Sequence, residues 1–291
     1  MPDSIKIFVI TGLALLAFAA NSIFCRLALQ PSNIDPASFT SIRLISGALA
    51  LIIILAIRPG SDSLNITKTL FTKQGWNWLG ALLLFSYAIL FSFAYTLLDT
   101  ATGALILFAT VQIFLLISQL VQGYRFSKVE IIGIILAMIG FIYLTLPGAS
   151  RPDWLGLLLM SLAGISWAGY TLAGKHASHP TKNTAENFVR CVPITIIAWI
   201  IFSDQHSINA WGILWAVLSG VFASAMGYSL WYYSVKHINM TQAALSQLLV
   251  PVLAAIGGVL LVKESVTSSF IISAVLIVLG IAMVSLTKKK G

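Results

Sequence analysis

Apolar residues fall into ten continuous runs along the chain, and polar residues are confined mainly to short stretches between them. Each run is about 20 residues long, the length that carries an α-helix across a ~30 Å hydrocarbon layer. The runs predict spans at 6–29, 37–57, 76–97, 101–121, 128–146, 154–175, 184–203, 211–234, 241–262 and 268–287. Hydrophobicity within them is continuous rather than alternating with a period of two. That excludes a membrane β-barrel, because only helices and closed barrels satisfy their backbone polar groups in lipid. The expected fold is an all-α membrane protein with ten transmembrane helices.

Composition points the same way. Of 291 residues 58% are hydrophobic and 9% charged, with a mean hydropathy of +0.95, values a soluble domain does not sustain. The first run continues into Asn21, Ser22 and Arg26 without a small-x-small cleavage pattern, so it reads as a retained helix. The longest loop, about 58–75, leaves no soluble domain for an enzyme or ATPase site. Cys25 and Cys191 lie in separate apolar runs and build neither a disulfide framework nor a metal spacing.

The net charge of +8 is distributed unevenly. With a cytoplasmic amino terminus, the inner loops and tails collect Lys6, Arg58, Lys68, Lys73, Arg125, Lys128, Lys175, Lys182, Lys236 and Lys288 to Lys290. The outer ends hold Arg26, Arg151 and Lys263 beside Asp35, Asp99, Asp153, Asp204 and Glu264. The positive-inside rule therefore places both termini in the cytoplasm. The basic residues then face anionic lipid headgroups, and nucleic acid is not an expected partner.

The sequence also repeats itself. Phe18-Ala19-Ala20-Asn21-Ser22-Ile23-Phe24-Cys25-Arg26 aligns without a gap on Trp167-Ala168-Gly169-Tyr170-Thr171-Leu172-Ala173-Gly174-Lys175. Ile42-Arg43 matches Val189-Arg190, Gly103-Ala104-Leu105 matches Ala243-Ala244-Leu245, and Gly140 matches Gly280. Two five-helix halves, 1–150 and 151–291, are implied. Because five is odd, the halves enter the membrane from opposite sides and form an inverted repeat, the arrangement that supports alternating access.

These residues resemble the drug/metabolite transporter superfamily, specifically its EamA-type members. The resemblance rests on Asn21-Ser22, Ile42-Arg43-Leu44, Trp167-Ala168, Leu249-Val250-Pro251 and Val262-Lys263-Glu264, and it covers nearly the whole chain. The first half departs from the pattern, with Val111 at the position equivalent to Pro251 and Tyr124-Arg125 at that of Glu264. The resemblance implies a central cavity lined by the first, third, fourth, sixth, eighth and ninth spans, and export of small metabolites.

Polar and aromatic residues within those spans are the candidate substrate contacts: Phe18, Asn21, Ser22, Tyr87, Phe91, Gln112, Trp167, Tyr170, Thr171, Tyr228, Trp231 and Gln247. Buried amides must find partners in lipid, so Asn21, Gln112 and Gln247 either meet a substrate or tie helices together. Tyr95, Tyr232 and Tyr233 lie near span ends and suit an interfacial aromatic belt. Pro251 removes a backbone hydrogen bond and is the expected hinge. Arg43 and Arg190 are expected to snorkel to the nearer interface. Should that fail, they are possible anion anchors, with Arg43 the first choice.

No Asp or Glu lies in the middle of a span, which favours facilitated diffusion or exchange over a carboxylate proton relay. His176 and His179 share helical spacing but lack further ligands, so neither a metal nor a cofactor is expected. Residues 169–175 mimic a phosphate loop, yet His176 replaces the required Ser or Thr and no strand precedes them. The triplets Asn65-Ile66-Thr67 and Asn239-Met240-Thr241 fall on the cytoplasmic side, where no glycan is attached. Gly133, Ala137 and Gly140, with Ser273 and Gly280, form small-residue faces that either join the halves or make a homodimer surface. The resulting expectation is a secondary transporter of the bacterial inner membrane that exports amino acids or related amphipathic metabolites. The alternatives are phosphorylated metabolites or nucleotide sugars as substrates, or a non-transporting membrane scaffold.

Overall fold

The computed structural model describes residues 3–30, 33–57, 78–145, 152–174, 179–202, 207–238, 246–247 and 249–286. Its helices are α1 (Asp3–Ala28), α2 (Pro36–Ile57), α3 (Leu79–Ala94), α4 (Thr100–Val121), α5 (Lys128–Thr145), α6 (Trp154–Gly174) and α7 (Pro180–Ile201). Helix α8 runs from Ala210–Leu218 through a π-helical segment, Ser219–Met226, into Gly227–His237. Helix α9 is Leu249–Gly257 with a π-helical end, Gly258–Val262, and α10 is Ser268–Leu286. No strand occurs among the described residues, although an isolated antiparallel bridge joins Ile34 to Ile208.

Six stretches among the described residues are long and apolar enough to cross a membrane: Ile5–Ala28, Pro36–Ile57, Thr100–Val121, Trp154–Gly174, Thr181–Ile201 and Ala210–Ser234. Leu79–Ala94, Leu249–Val262 and Ser268–Met283 are shorter apolar helices. Phe8, Ile53, Ile57, Ile197, Trp211 and Leu260 are among many large apolar side chains on the outside, a surface suited to lipid. The protein is an all-α membrane protein.

Local chemistry sets where the helices begin. Asp35 accepts from the Ser38 amide at 2.8 Å, Asp153 from Gly156 at 2.9 Å and Asn209 from Gly212 at 2.9 Å, each side chain capping its helix. Ser127 and Glu130 form a reciprocal capping box at α5, through bonds of 3.3 and 2.6 Å. Helix α7 starts at Pro180, ahead of the position 184 expected from hydropathy, because proline at the first helical position is already set for a helix.

Turns between successive helices gather at one end. The Asn33–Asp35 turn bonds the 207–209 turn through Asp35 N to Ser207 O (2.9 Å) and Asn209 N to Asn33 O (2.8 Å). Leu97 and Leu98 pack on Gly156 at the start of α6, and Arg26 reaches Tyr95, Asp99 and Glu264. The extensive helix contacts mostly cross between residues 1–150 and 151–291: α1 on α8 and α9, α2 on α7 and α8, α3 on α6, α4 on α6 and α9, and α5 on α10. In the α5–α10 pair Gly140 lies against Leu276 and Ile277, and Gly280 against Gly133 and Ala137. Those small-residue faces therefore close on each other within one chain, with helix backbones in near contact. Residues 65–67, 175–176 and 239–245, which carry the glycosylation-like triplets, Lys175, His176 and the Ala243–Leu245 repeat match, lie outside the described residues.

Candidate functional site

Helical spacing puts Phe18, Asn21 and Ser22 on one side of α1, and Tyr87, Phe91 and Tyr95 on one side of α3. Packing brings the first of these sides against α8 and the second against α6, so side chains from both halves meet in the interior. Trp167 of α6 stands at the centre, with its ring 4.9 Å from those of both Tyr87 and Tyr228. Tyr170 lies 5.6 Å from Trp167, and Phe91 lies 5.4 Å from Tyr87. Phe18 bridges Trp167 at 6.1 Å, Tyr228 at 6.0 Å and Trp231 at 5.6 Å. These tilted and edge-on contacts set ring edges against ring faces, as their quadrupoles favour.

A polar chain threads the rings. Ser219 donates to the Asn21 side-chain oxygen at 2.6 Å, and the Asn21 amide donates to the Tyr87 hydroxyl at 3.1 Å. Arg43 donates through Nε to Ser224 Oγ at 3.1 Å, and through one terminal nitrogen to the Tyr87 and Tyr228 hydroxyls, each at 3.4 Å. Its guanidinium carbon lies 5.3 Å from both the Tyr87 and the Phe91 ring centres. The other terminal nitrogen, Nη1, is buried without a partner.

Arg43 is 0% exposed, which corrects the expectation that it snorkels. The reason is backbone proximity. Gly47 of α2 faces the Phe188 ring, and Gly220 of α8 sits against the Arg43 carbonyl and Ser46, so α2 and α8 leave the side chain no route to an interface. Hydroxyls take the place of water around it. Arg190 is buried as well, which corrects the same expectation there, but it has a carboxylate: Glu186 lies 3.5 Å away one turn earlier, and Asn187 accepts at 3.4 Å.

The remaining candidates stand apart from this cluster. Thr171 is half-buried and bonds back to the Trp167 carbonyl of its own helix at 2.9 Å. Ser22 is buried beside Tyr95, which is fully buried rather than part of an interfacial belt, because its ring packs on Phe91 and Gly103. Gln112 is buried in α4 and Gln247 half-buried ahead of α9, and neither takes part in the bonds or ring contacts above. Pro251 is buried in the first turn of Leu249–Gly257, whose preceding residue 248 lies outside the described residues. Ser219, Ser224 and Phe188 were not among the sequence candidates. The sequence signal for the two serines is a pair of hydroxyls within the apolar run 219–225, and Phe188 has none beyond its place in an apolar span.

A second polar cluster occupies the end where the turns meet. Arg26 donates to Glu264 at 2.9 Å and to the Tyr95 carbonyl at 2.7 Å, and lies 3.8 Å from Asp99. Glu264 also accepts from the Thr100 amide at 2.8 Å, capping α4 from a distant part of the chain. Lys263, at φ 65°, turns the chain so that Glu264 can reach back. Burial and the neighbouring Glu264 carboxylate push the Asp99 carboxyl up, against the opposing pull of Arg26.

The EamA-like transporter family matches this chain twice, at residues 6–146 and 154–286. An uncharacterized protein of Pseudomonas aeruginosa is 40% identical over 284 residues, covering 98% of this chain and 96% of its own. An uncharacterized transporter of Bacillus subtilis is 22% identical, with 88% of this chain and 89% of the relative covered. The biotin transporter of Escherichia coli is 26% identical over 69% of this chain and 68% of its own. A solved crystal structure shares the fold at a TM-score of 0.69 and 19% identity, covering 96% of this chain and 97% of that one. A lipid-facing helical bundle with rings and hydroxyls gathered at its centre, matched by one family through both halves, leaves a single assignment: the chain belongs to the EamA-like transporter family and is a transporter rather than an enzyme.

Proposed function

We propose that this protein is a secondary transporter that exports amino acids or related small amphipathic metabolites across the bacterial inner membrane by alternating access around the Trp167-centred cluster. The observation that carries this reading is the convergence of Phe18, Asn21, Tyr87, Phe91, Trp167, Tyr228 and Trp231 from helices of both halves. Rings and amides of this kind bind a small amphipathic solute without dedicated charge pairs. The E. coli relative named a biotin transporter supports a metabolite of that general character.

In this reading the chain forms ten spans in two inverted five-helix repeats, 1–150 and 151–291, with both termini cytoplasmic. The pairing of helices supports it. The α1–α8 contact is matched by α6–α3 and α1–α9 by α6–α4, while α2–α7, α4–α9 and α5–α10 each pair equivalent positions. The Arg26–Glu264–Asp99 cluster is then a closure at the outer end, and rocking one half against the other opens it. Phosphorylated substrates have less support, because Glu186 already occupies Arg190 and leaves Arg43 as the cluster's one uncompensated charge among the described residues.

The test is counterflow of a broad solute panel in proteoliposomes, comparing the wild type with Asn21→Ala and Trp231→Ala. Saturable, solute-specific flux in the wild type that falls at least about tenfold in the variants, ~1.4 kcal/mol of lost binding, is expected. Unchanged flux in both variants discards the site, and no flux of any solute favours a scaffold.

A further inference from the structure

We infer that the substrate is a monocarboxylate, whose single negative charge is taken by Arg43 and whose flat or apolar body is held by the surrounding rings. This rests on the transporter reading above and narrows it to the related amphipathic metabolites, setting the amino acids themselves aside. A guanidinium with no exposure, inside a membrane protein, ordinarily carries a carboxylate partner, because an uncompensated buried charge is costly. Arg43 has neutral hydroxyls instead, two of them at 3.4 Å, and its Nη1 has no partner at all.

The acids whose side chains are described are committed elsewhere. Asp35 and Asp153 cap α2 and α6, Glu130 serves Tyr124 and Ser127, Glu186 serves Arg190, and Asp99 and Glu264 lie with Arg26. Among the described residues no anion remains for Arg43, and in this inference the transported solute supplies it.

Charge arithmetic then selects the class. The cluster offers one uncompensated positive charge, which matches one carboxylate. A phosphate monoester brings about −1.5 to −2 at neutral pH and leaves charge unmatched. A zwitterion adds an ammonium, for which the described acids, each bound elsewhere, offer no counter-charge beside the rings. Geometry agrees with the charge: Nη1 is free to donate to one carboxylate oxygen, Nη2 can exchange a 3.4 Å tyrosine hydroxyl for the other, and the Tyr87 and Tyr228 hydroxyls can rotate to donate to the same group. Trp167, Tyr228 and Phe18 pack against one another beside the fork, and would part around a flat body while keeping ring-to-ring contacts.

Five probes that share a phenyl body test this: phenylacetate, phenylacetamide, phenylalanine, phenyl phosphate and phenethylamine. Binding is read from quenching of tryptophan fluorescence in purified full-length protein, and transport from counterflow in proteoliposomes. Phenylacetate is expected to bind at least about tenfold more tightly than each of the other four. Arg43→Gln should erase that preference, and Arg43→Lys, which keeps the charge without the fork, should restore part of it. Should Arg43→Gln fail to fold, the wild-type ranking and Arg43→Lys still decide the matter. The inference is overturned if the amide, the zwitterion or the phosphate matches the acid, or if Arg43→Gln keeps the preference. It is also overturned if none of the five binds while other solutes show saturable flux; in each of these cases the transporter reading survives. Loss of all flux in the broad solute panel removes both.

Discussion

Asn21 is held from both sides, taking a hydrogen bond from Ser219 and giving one to Tyr87. The same Tyr87 hydroxyl accepts from Arg43, so a single phenolic oxygen joins α1, α2 and α3. Interhelical hydrogen bonds in membranes average about 0.6 kcal/mol and reach ~1.7 kcal/mol. Ser219→Ala leaves the Asn21 oxygen buried without its 2.6 Å donor. The expected loss is about 0.5–1.5 kcal/mol in thermal or denaturant unfolding in detergent. Ser219→Ala and Asn21→Ala combined should cost less than their sum, since they remove the same bond. Strict additivity would mean that Asn21 and Ser219 are not energetically coupled.

The π-helical segment of α8 acts at the scale of the element. Its altered hydrogen-bond pitch aims Ser219 at Asn21 and Ser224 at Arg43 from neighbouring turns, while Gly220 lies directly on the α2 backbone. A β-carbon at Gly220 would collide with the Arg43 carbonyl and Ser46, and a backbone carbonyl cannot rotate aside as a side chain can. Gly220→Ala is therefore expected to destabilise by about 1–3 kcal/mol and to weaken solute binding, because it pushes α2 and Arg43 away from α8. Gly12→Ala is the control. Nothing lies within 4 Å of a β-carbon there, and the helix should gain up to about 1 kcal/mol. Equal effects of the two substitutions would rule out the close α2–α8 approach as their cause.

For the whole molecule the telling feature is that the strongest packing runs between the two halves of the chain rather than within them. Displacing one half relative to the other therefore rearranges the ring cluster and the Arg26–Glu264 pair together. Glu264→Gln keeps the side chain's shape while removing the charge that Arg26 faces at 2.9 Å. Cys25 sits next to Arg26 in α1, is 0% exposed and has a free thiol, so it reports on that end. In a Cys191→Ser background, Glu264→Gln is expected to raise the maleimide labelling rate of Cys25 about tenfold, equivalent to ~1.4 kcal/mol of closure energy. An unchanged rate would show that this ion pair does not hold the end shut.

Hydropathy, charge placement and internal similarity were enough to give the membrane class, most span positions and the aromatic candidates, because each is a property of one residue or one helix face. The rings of Phe18, Tyr87, Phe91, Trp167, Tyr170, Tyr228 and Trp231 were legible for that reason. Tertiary structure alone decided which candidates meet. Periodicity does not reveal which helix a face packs against, so Gln112 and Thr171 fall away from the cluster while Ser219, Ser224 and Phe188 join it. It also separated two arginines that occupy matching short motifs, Ile42-Arg43 and Val189-Arg190. Arg190 has Glu186 one turn away on its own helix, whereas Arg43 is enclosed by two glycine-bearing backbones and three hydroxyls contributed by other helices. The Glu186–Arg190 spacing of one helical turn is readable along the chain, whereas the hydroxyls that meet Arg43 lie far away in sequence, and only the folded chain brings them within bonding distance.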